Sequence, residues 1–537
     1  MLRVESLLYF GRIWGLAYSY SGRKLVSLGK SVCFILVCFF RFLLLMNPFW
    51  IQLFYFLFIS AFGLWVLAVL KPKTYDSYRP ANLDLLFTSV SASTVSSMSS
   101  VEMEVFSDSQ LIVLIVLMFV GGEVFTSMVG IQLRKLKLKL SEDKITSVPS
   151  VLSTISSNPQ NILSQIELGV VRKLDHQPER QLKHNSIKLL GIVVLSYLLT
   201  IHLLGIGMVL VYMETVSSAR EVLSKKGLKT STFAIFLTVS TFASCGFVPT
   251  NENMIVFSKN LGLLAMLIPQ ALLGNTLFPC CLRFSIWSLG KFTKKSETRF
   301  LLKNSEEIGY LHLLPRLHSL LLASTVFGFV LIQSVAIWFM EWSSEALSGL
   351  NSIEKLLGVL FLSVNSRHSG ESIVDLSMLS PAILFLFVAM MYLPPYTSFM
   401  PIKGDGEEGE NQLEANKIIK KNKRAKFVDN FIFSQISYLL IFIFVICITE
   451  RHNIKEDPLN FNLFNIIFEV ISAYGNVGFT MGYSCKRQLH PQSNCVDKSF
   501  GFSGKWSSKG KIVLIVVMIF GRLKKFNMNR ERAWKLL

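Results

Sequence analysis

The stretch RPANLDLLFTSVSASTVSSMSS, Arg79–Ser100, decides how this chain is read. It opens at a proline, runs through about three apolar helical turns, and ends in a tail of small hydroxyl residues. The apolar part is too short to cross roughly 30 Å of hydrocarbon as a helix, yet it is too apolar for an ordinary surface loop. Three further stretches share its layout: LKTSTFAIFLTVSTFASCGF at Leu228–Phe247, LNSIEKLLGVLFLSVNSRHSG at Leu350–Gly370 and DPLNFNLFNIIFEVISAYGNVGF at Asp457–Phe479. Each has a polar or proline-containing start, an apolar run, small residues, and then a Gly or Ser.

The surrounding sequence is that of a polytopic membrane protein. The 537 residues are 51% hydrophobic and 12% aromatic, a profile far from that of a soluble domain. Uncharged runs of 20 or more residues occur at Phe49–Leu70, Asn260–Leu282, Leu317–Met340, Leu376–Ile402 and Asn430–Thr449, and each can span as a helix. Three weaker spans complete the set: Ser109–Leu133 is interrupted by Glu123, Leu189–Met213 contains His202, and Ile512 onward soon meets Arg522. The predicted total is eight, with one short apolar stretch between spans one and two, three and four, five and six, and seven and eight. The early apolar run near Val32–Met46 contains Arg41 and is followed by no small-residue cleavage site, so the amino terminus is expected to stay in the cytoplasm.

The net charge of +19 raises nucleic acid as a partner, so its location matters. Residues 1–48, 134–184, 283–316, 403–429 and 522–537 hold 35 Lys/Arg and 16 Asp/Glu; everything else holds 19 of each. The whole excess thus lies on one face of an eight-span arrangement. This is the positive-inside pattern, which orients both termini toward the cytoplasm and removes the case for nucleic acid. The expected organisation is a cytoplasmic region at 1–48, pore repeats at 49–133, 185–288, 313–402 and 430–526, cytoplasmic linkers at 134–184, 289–312 and 403–429, and a tail at 527–537.

Re-entrant backbone is tolerated at membrane depth only where protein buries it or water reaches it. Four half-helices converging on one axis meet that condition. The extended piece after each would line the axis with carbonyl oxygens, which replace an ion's hydration shell, and the negative carboxyl ends of the half-helices favour a cation. The predicted fold class is an all-α integral membrane protein, with eight transmembrane helices as four span/pore-loop/span repeats around one pseudo-fourfold pore.

The motifs TVSSMSSVEMEVFS, STFASCGFVPTNENM, GNTLFPC, VNSRHSGES, AYGNVGFTMGYSC and GRLKKF extend over nearly the whole chain. Together they resemble the plant high-affinity potassium transporter (HKT) family, related to the bacterial and fungal Trk and Ktr transporters. The resemblance implies a selectivity filter with one position per repeat, at Gly246, Gly370 and Gly478, flanked by Cys245, Ser369 and Val477. The first repeat departs from glycine, and its equivalent is read as Ser99, preceded by Met98. A serine there is associated in the family with sodium-selective members and a glycine with potassium-permeable ones. The physical reason is that Gly reaches positive φ without steric cost, whereas a Ser adds a Cβ and a hydroxyl that narrow one side of the ring. The implied function is passive, channel-like sodium transport. A potassium-permeable sodium/potassium symporter or potassium channel is the alternative. The resemblance also implies a plasma-membrane homodimer with one pore per subunit, embedded in the lipid bilayer.

Around the filter, Glu102, Glu104 and Glu371 are expected to raise cation concentration at the outer mouth, with Asn251 a neutral amide in the matching position. Arg522 falls about 16 Å along the last helix from Lys511, and the resemblance implies that a basic residue of this helix projects into the pore as a barrier. Lys524 and Lys525 are expected to reach the surface. Glu123 needs a partner, for which Lys188 and Arg522 are candidates. Arg367 and His368 are read as bracing the third loop. Pro269, Pro279, Pro381, Pro394 and Pro395 imply kinks or breaks. Cys485 and Cys495 share a polar loop, and a bridge and free thiols both remain open. An integral membrane enzyme is disfavoured, because no metal-ligand cluster, nucleotide loop or nucleophile elbow is visible. No cofactor is expected; the only metal is a transient sodium ion at the filter.

Overall fold

The computed structural model describes residues 48–74, 78–146, 177–396, 435–488, 495–498 and 501–527. The chain divides into Met1–Phe54, of which residues 48–54 are described and are helical, and Tyr55–Leu537, which holds the site discussed below. The expected linker at 403–429 and most of that at 134–184 lie outside the described residues.

Among the described residues the chain is all helix and loop, apart from one isolated bridge between Tyr483 and Lys498. In chain order α1 (Pro48–Val69) precedes a short helix α2 (Asn82–Thr94), then α3 (Asp108–Gly121) and α4 (Glu123–Thr146). The pattern recurs as α5 (Gln177–Thr215), a surface helix α6 (Ser217–Lys226), the short α7 (Thr230–Phe242), α8 (Leu261–Gly274) and α9 (Phe278–Thr293). It recurs again as α10 (Arg316–Glu341), α11 (Ser352–Asn365) and α12 (Pro381–Tyr392), and finally as α13 (Gln435–Thr449), α14 (Leu463–Gly475) and α15 (Ser508–Asn527). The four stretches singled out by sequence are thus the short helices α2, α7, α11 and α14.

Length and composition mark α1, α5 and α10 as able to cross a membrane, and the pairs α3–α4 and α8–α9 as bent spans with breaks of 55° and 82°. Among the described residues that makes three crossings, or five if each bent pair is one. The remaining candidates fall short for visible reasons: α12 and α13 have 12 and 15 residues, and α15 carries Arg522, Lys524 and Lys525. The breaks follow sequence chemistry. The first falls at Gly121-Gly122, while the second falls at Asn275–Leu277 with Pro279 in the opening turn of α9. Pro269 lies inside α8 and Pro381 opens α12.

Burial is inverted relative to a soluble protein. Phe58, Leu203 and Phe339 point outward, Phe339 with 86% of its surface exposed, while Ser89, Ser91, Ser93, Ser240 and Thr241 are fully buried. An apolar exterior of this extent is what lipid solvates. Small residues let the second helix of a repeat lie directly on its half-helix: a Cβ added to Gly121 would sit 2.0 Å from Ser93 O, one on Gly274 1.9 Å from Phe242 O, and one on Gly521 2.1 Å from Tyr474 O. Each carbonyl belongs to the last turns of α2, α7 or α14, so these glycines let the following helix pack directly on the half-helix ends. Outside the membrane region, Cys485 and Cys495 form a disulfide, which resolves the alternative left open by spacing.

A candidate ion pathway at four converging segments

Each half-helix ends in the same backbone device. A main-chain N–H beyond the end reaches back five residues: Ser96 to Ser91 (2.8 Å), Cys245 to Ser240 (2.9 Å), Gly370 to Asn365 (3.0 Å) and Val477 to Ser472 (3.1 Å). In three of the four the chain enters left-handed backbone at Val95 (φ 53°), Ser244 (φ 58°) and Asn476 (φ 49°), and returns to positive φ two residues later at Ser97 (54°), Gly246 (84°) and Gly478 (102°). The third segment differs: Gly370 (φ 69°) is itself the residue whose N–H reaches back, and no left-handed residue stands two positions before it.

This register corrects the sequence reading of the first segment. Ser97, not Ser99, matches the three glycines. Ser99 lies two residues further out, where its hydroxyl donates to Val101 O (2.6 Å) and its carbonyl accepts from the Ser503 hydroxyl (3.0 Å). Its backbone also packs on Gly501, where a Cβ would come within 2.0 Å of Ser99 O. Met98 is correspondingly displaced from the flanking position, which Ser96 holds beside Cys245, Ser369 and Val477.

The four segments touch one another in a closed cycle. The Cys245 side chain lies beside the Ser97 backbone, which brings the first and second together. A Cβ on Gly246 would fall 1.5 Å from Ser369 O of the third, and a Cβ on Gly370 would fall 2.4 Å from Val477 O of the fourth. A Cβ on Gly478 would fall 2.2 Å from Ser97 Cβ, which closes the circuit. Three positions therefore tolerate only glycine because the next segment occupies the space where a side chain would project. Asn476 adds a polar tie at the same seam, donating to Ser96 Oγ (2.7 Å) and to Met518 O (3.1 Å).

The third segment is braced from behind. His368 pairs through Nε2 with Thr276 Oγ1 (2.7 Å), Ser369 donates to the Asn365 side chain, and Arg367 donates to Pro394 O and to Pro395 O (3.1 Å). The expected bracing by Arg367 and His368 thus has concrete partners, and the carbonyls of Pro394 and Pro395 are two of them.

On the outer side Asn251 staples the first and second loops. Its side chain donates to Glu102 (3.1 Å), its N–H donates to Glu104 Oε1 (3.1 Å), and its carbonyl oxygen Oδ1 accepts from Glu104 N (3.2 Å). Lys226 donates to Glu104 (2.7 Å) and to Glu252 (2.6 Å). Burial works against the charge on Lys226, but its hydrogen bonds to the two carboxylates outweigh this and hold its pKa above the ordinary lysine value. Glu102 and Glu104 are half-buried and Glu252 lies beside them, a cluster that sequence reasoning did not assemble. Glu371 departs from its expected place: it is fully buried and accepts from Thr241 Oγ1 (2.5 Å) at the end of α7, so it cannot serve as an exposed mouth group.

Beneath the half-helix ends, Arg522 is 1% exposed, donates to Gly121 O (2.5 Å) and stacks 5.7 Å from the Phe56 ring. It reaches from the fourth repeat into the first instead of extending to the surface. Glu123 accepts from Tyr396 OH (2.8 Å) and lies within electrostatic reach of Arg522. Lys524, expected at the surface, turns inward onto Tyr474, with its ammonium 4.4 Å from the ring and bonded to the phenol oxygen. The Lys525 side chain is outside the described residues.

Comparisons with known proteins identify the family. The TrkH family model, described as a cation transport protein, matches residues 168–533. The chain is 50% identical over 480 residues to the sodium transporter HKT1 of Arabidopsis thaliana, covering 88% of this chain and 91% of the relative. It is 46% identical over 526 residues to the cation transporter HKT1;3 of Oryza sativa subsp. japonica, covering 96% and 97%. The potassium transporter TrkH from Vibrio parahaemolyticus aligns with a TM-score of 0.47 at 13% identity, over 90% of this chain and 84% of its own, too remote to add to the assignment. These are transporters, not enzymes. The chain therefore belongs to the plant HKT cation transporters, within the TrkH family of cation transport proteins.

Proposed function

We propose that this protein is an HKT1-type sodium transporter that conducts Na+ passively through a ring formed by Ser97, Gly246, Gly370 and Gly478. The observation that carries the reading is the closed cycle of contacts among the four segments, three of which leave their half-helix through the same left-handed backbone turn. Carbonyls of these segments replace water around the ion, and the four half-helix carboxyl ends bias the site toward cations. Ser97 is the one ring member with a side chain, and its Cβ occupies the space that Gly478 leaves open. The ring is thereby narrowed on one side, which disfavours the wider cage that K+ needs. The Arabidopsis relative, named a sodium transporter, supports the same ion.

In this reading eight helices form four repeats with the boundaries expected from sequence. Both termini face the cytoplasm of a plasma-membrane protein, and a homodimer carries one pore per subunit. Glu102, Glu104 and Glu252 form the acidic outer mouth, partly neutralised by Lys226. Arg522 is an electrostatic barrier below the ring, held in place by Gly121 O. Two-electrode recording from cells expressing the protein tests this: reversal potentials that track external Na+ and ignore K+ are expected. Currents that track K+ equally would overturn the sodium reading, and absence of any cation current would overturn transport.

A further inference from the structure

Two carboxylates lie behind the ring, where the mechanism so far gives them no role. Glu371 directly follows Gly370 and is fully buried; Thr241, in the last turn of α7, donates to its Oε1 at 2.5 Å. This hydrogen bond links residues 130 positions apart and crosses the seam between the second and third segments, beside the contact of Gly246 with Ser369 O. Glu469, in the middle of α14, is also fully buried. It accepts from Thr480 Oγ1 (3.0 Å), two residues beyond Gly478, and from Ser503 N (3.3 Å) in the approach to α15. Thr480 Oγ1 accepts in turn from Phe502 N (2.9 Å), and the Ser503 hydroxyl donates to Ser99 O (3.0 Å). Glu469 therefore gathers the fourth half-helix, the fourth segment and the 501–505 loop, and through Ser503 reaches the first segment.

We propose that Glu371 and Glu469 are positioning residues for ion selection, whose buried side chains set the spacing across two opposite seams of the ring, between the second and third segments and between the fourth and first. A buried acceptor that collects donors from separate segments fixes their separation, because moving either segment leaves polar groups unsatisfied away from water. Apolar packing alone would not specify the distance so sharply. The remaining seams are closed by direct backbone contact at Gly370 and by the Cys245–Ser97 approach, so loss of a carboxylate lets the ring open on one side only. The inference rests on the ring reading above and adds to it the groups that hold the ring to size.

The test uses full-length protein with surface expression measured alongside reversal potentials in Na+ and K+. Thr241→Val and Glu371→Ala remove the second seam's hydrogen bond from opposite ends; each is expected to lower the Na+/K+ permeability ratio on the order of tenfold, the size of effect produced when a lost hydrogen bond leaves a buried partner unsatisfied. Glu371→Gln keeps an acceptor oxygen for Thr241 and should retain near-wild-type selectivity. Ser503→Ala cuts only the link to Ser99 and should shift selectivity at the other seam, as should Glu469→Gln, whose amide nitrogen meets donors. If Glu371→Ala fails to reach the surface, Thr241→Val decides, since it exchanges a hydroxyl for a methyl of equal size. Wild-type reversal potentials in Thr241→Val and Ser503→Ala overturn the proposal, as does a Glu371→Gln shift equal to that of Glu371→Ala. Loss of Na+ selectivity in the unmutated protein would instead strike the ring reading itself.

Discussion

Gly478→Ala is the perturbation whose outcome the structure specifies most closely. Gly478 has φ 102°, a conformation that L side chains rarely adopt, and its absent Cβ would lie 2.2 Å from Ser97 Cβ, 2.9 Å from Ser97 Oγ and 3.0 Å from Ser96 O. Non-bonded carbons settle at about 3.5–4.0 Å, so the fourth and first segments must part by at least about 1.3 Å. Backbone strain of about 1–3 kcal/mol and overpacking of about 1–3 kcal/mol act together, both concentrated at one seam of the ring. Voltage-clamp currents normalised to surface expression should therefore fall steeply. Ser97→Gly in the same chain removes the overlapping Cβ and leaves the dihedral strain and the close approach to Ser96 O, so the double variant should recover part of the current, and the recovered current should admit K+. Wild-type currents in Gly478→Ala, or a double variant no better than the single one, would refute the packing argument.

Other variants probe separate parts of the path. Arg522→Gln removes a buried positive charge below the ring and should raise Na+ conductance several-fold, as expected for loss of an electrostatic barrier; unchanged conductance in protein at the surface would contradict the barrier role. Lys226→Gln exposes the charges of Glu104 and Glu252, so currents at low external Na+ should rise by roughly twofold to fivefold, and the gain should vanish at high ionic strength. A gain that persists in high salt would rule out an electrostatic origin. Cys485→Ser opens the disulfide-closed loop and should cost about 2 kcal/mol of stability, read as a lower melting temperature of the detergent-solubilised protein, with the reversal potential unchanged. A shifted reversal potential there would mean that the loop reaches the ring.

The half-helices were legible because their apolar stretches are too short to span and recur with the same flanks, and α2, α7, α11 and α14 fall within the four stretches. Gly246, Gly370 and Gly478 were named through the family resemblance of their motifs, and each has positive φ with no room for a Cβ. The first ring position was not legible. Ser96, Ser97, Ser99 and Ser100 surround a single Met98, and the register depends on left-handed backbone at Val95, a β-branched residue that no local preference nominates for it. Glu371 was misread because a carboxylate beside a ring glycine can face either the mouth or the rear of a half-helix, and only the tertiary position of Thr241 decides between them. Burial of Arg522 likewise depends on Gly121 O, an acceptor 401 residues away in sequence. Local pattern conveys which elements form; the pairings between repeats come from packing.

The central claim is that ion choice is made where Ser97 meets three glycines. Reversal potentials of Ser97→Gly and Ser99→Gly, measured side by side in Na+ and K+ solutions, test it most directly. The account predicts that Ser97→Gly becomes K+-permeable while Ser99→Gly keeps sodium preference. The opposite assignment, or K+ exclusion in both, would contradict it.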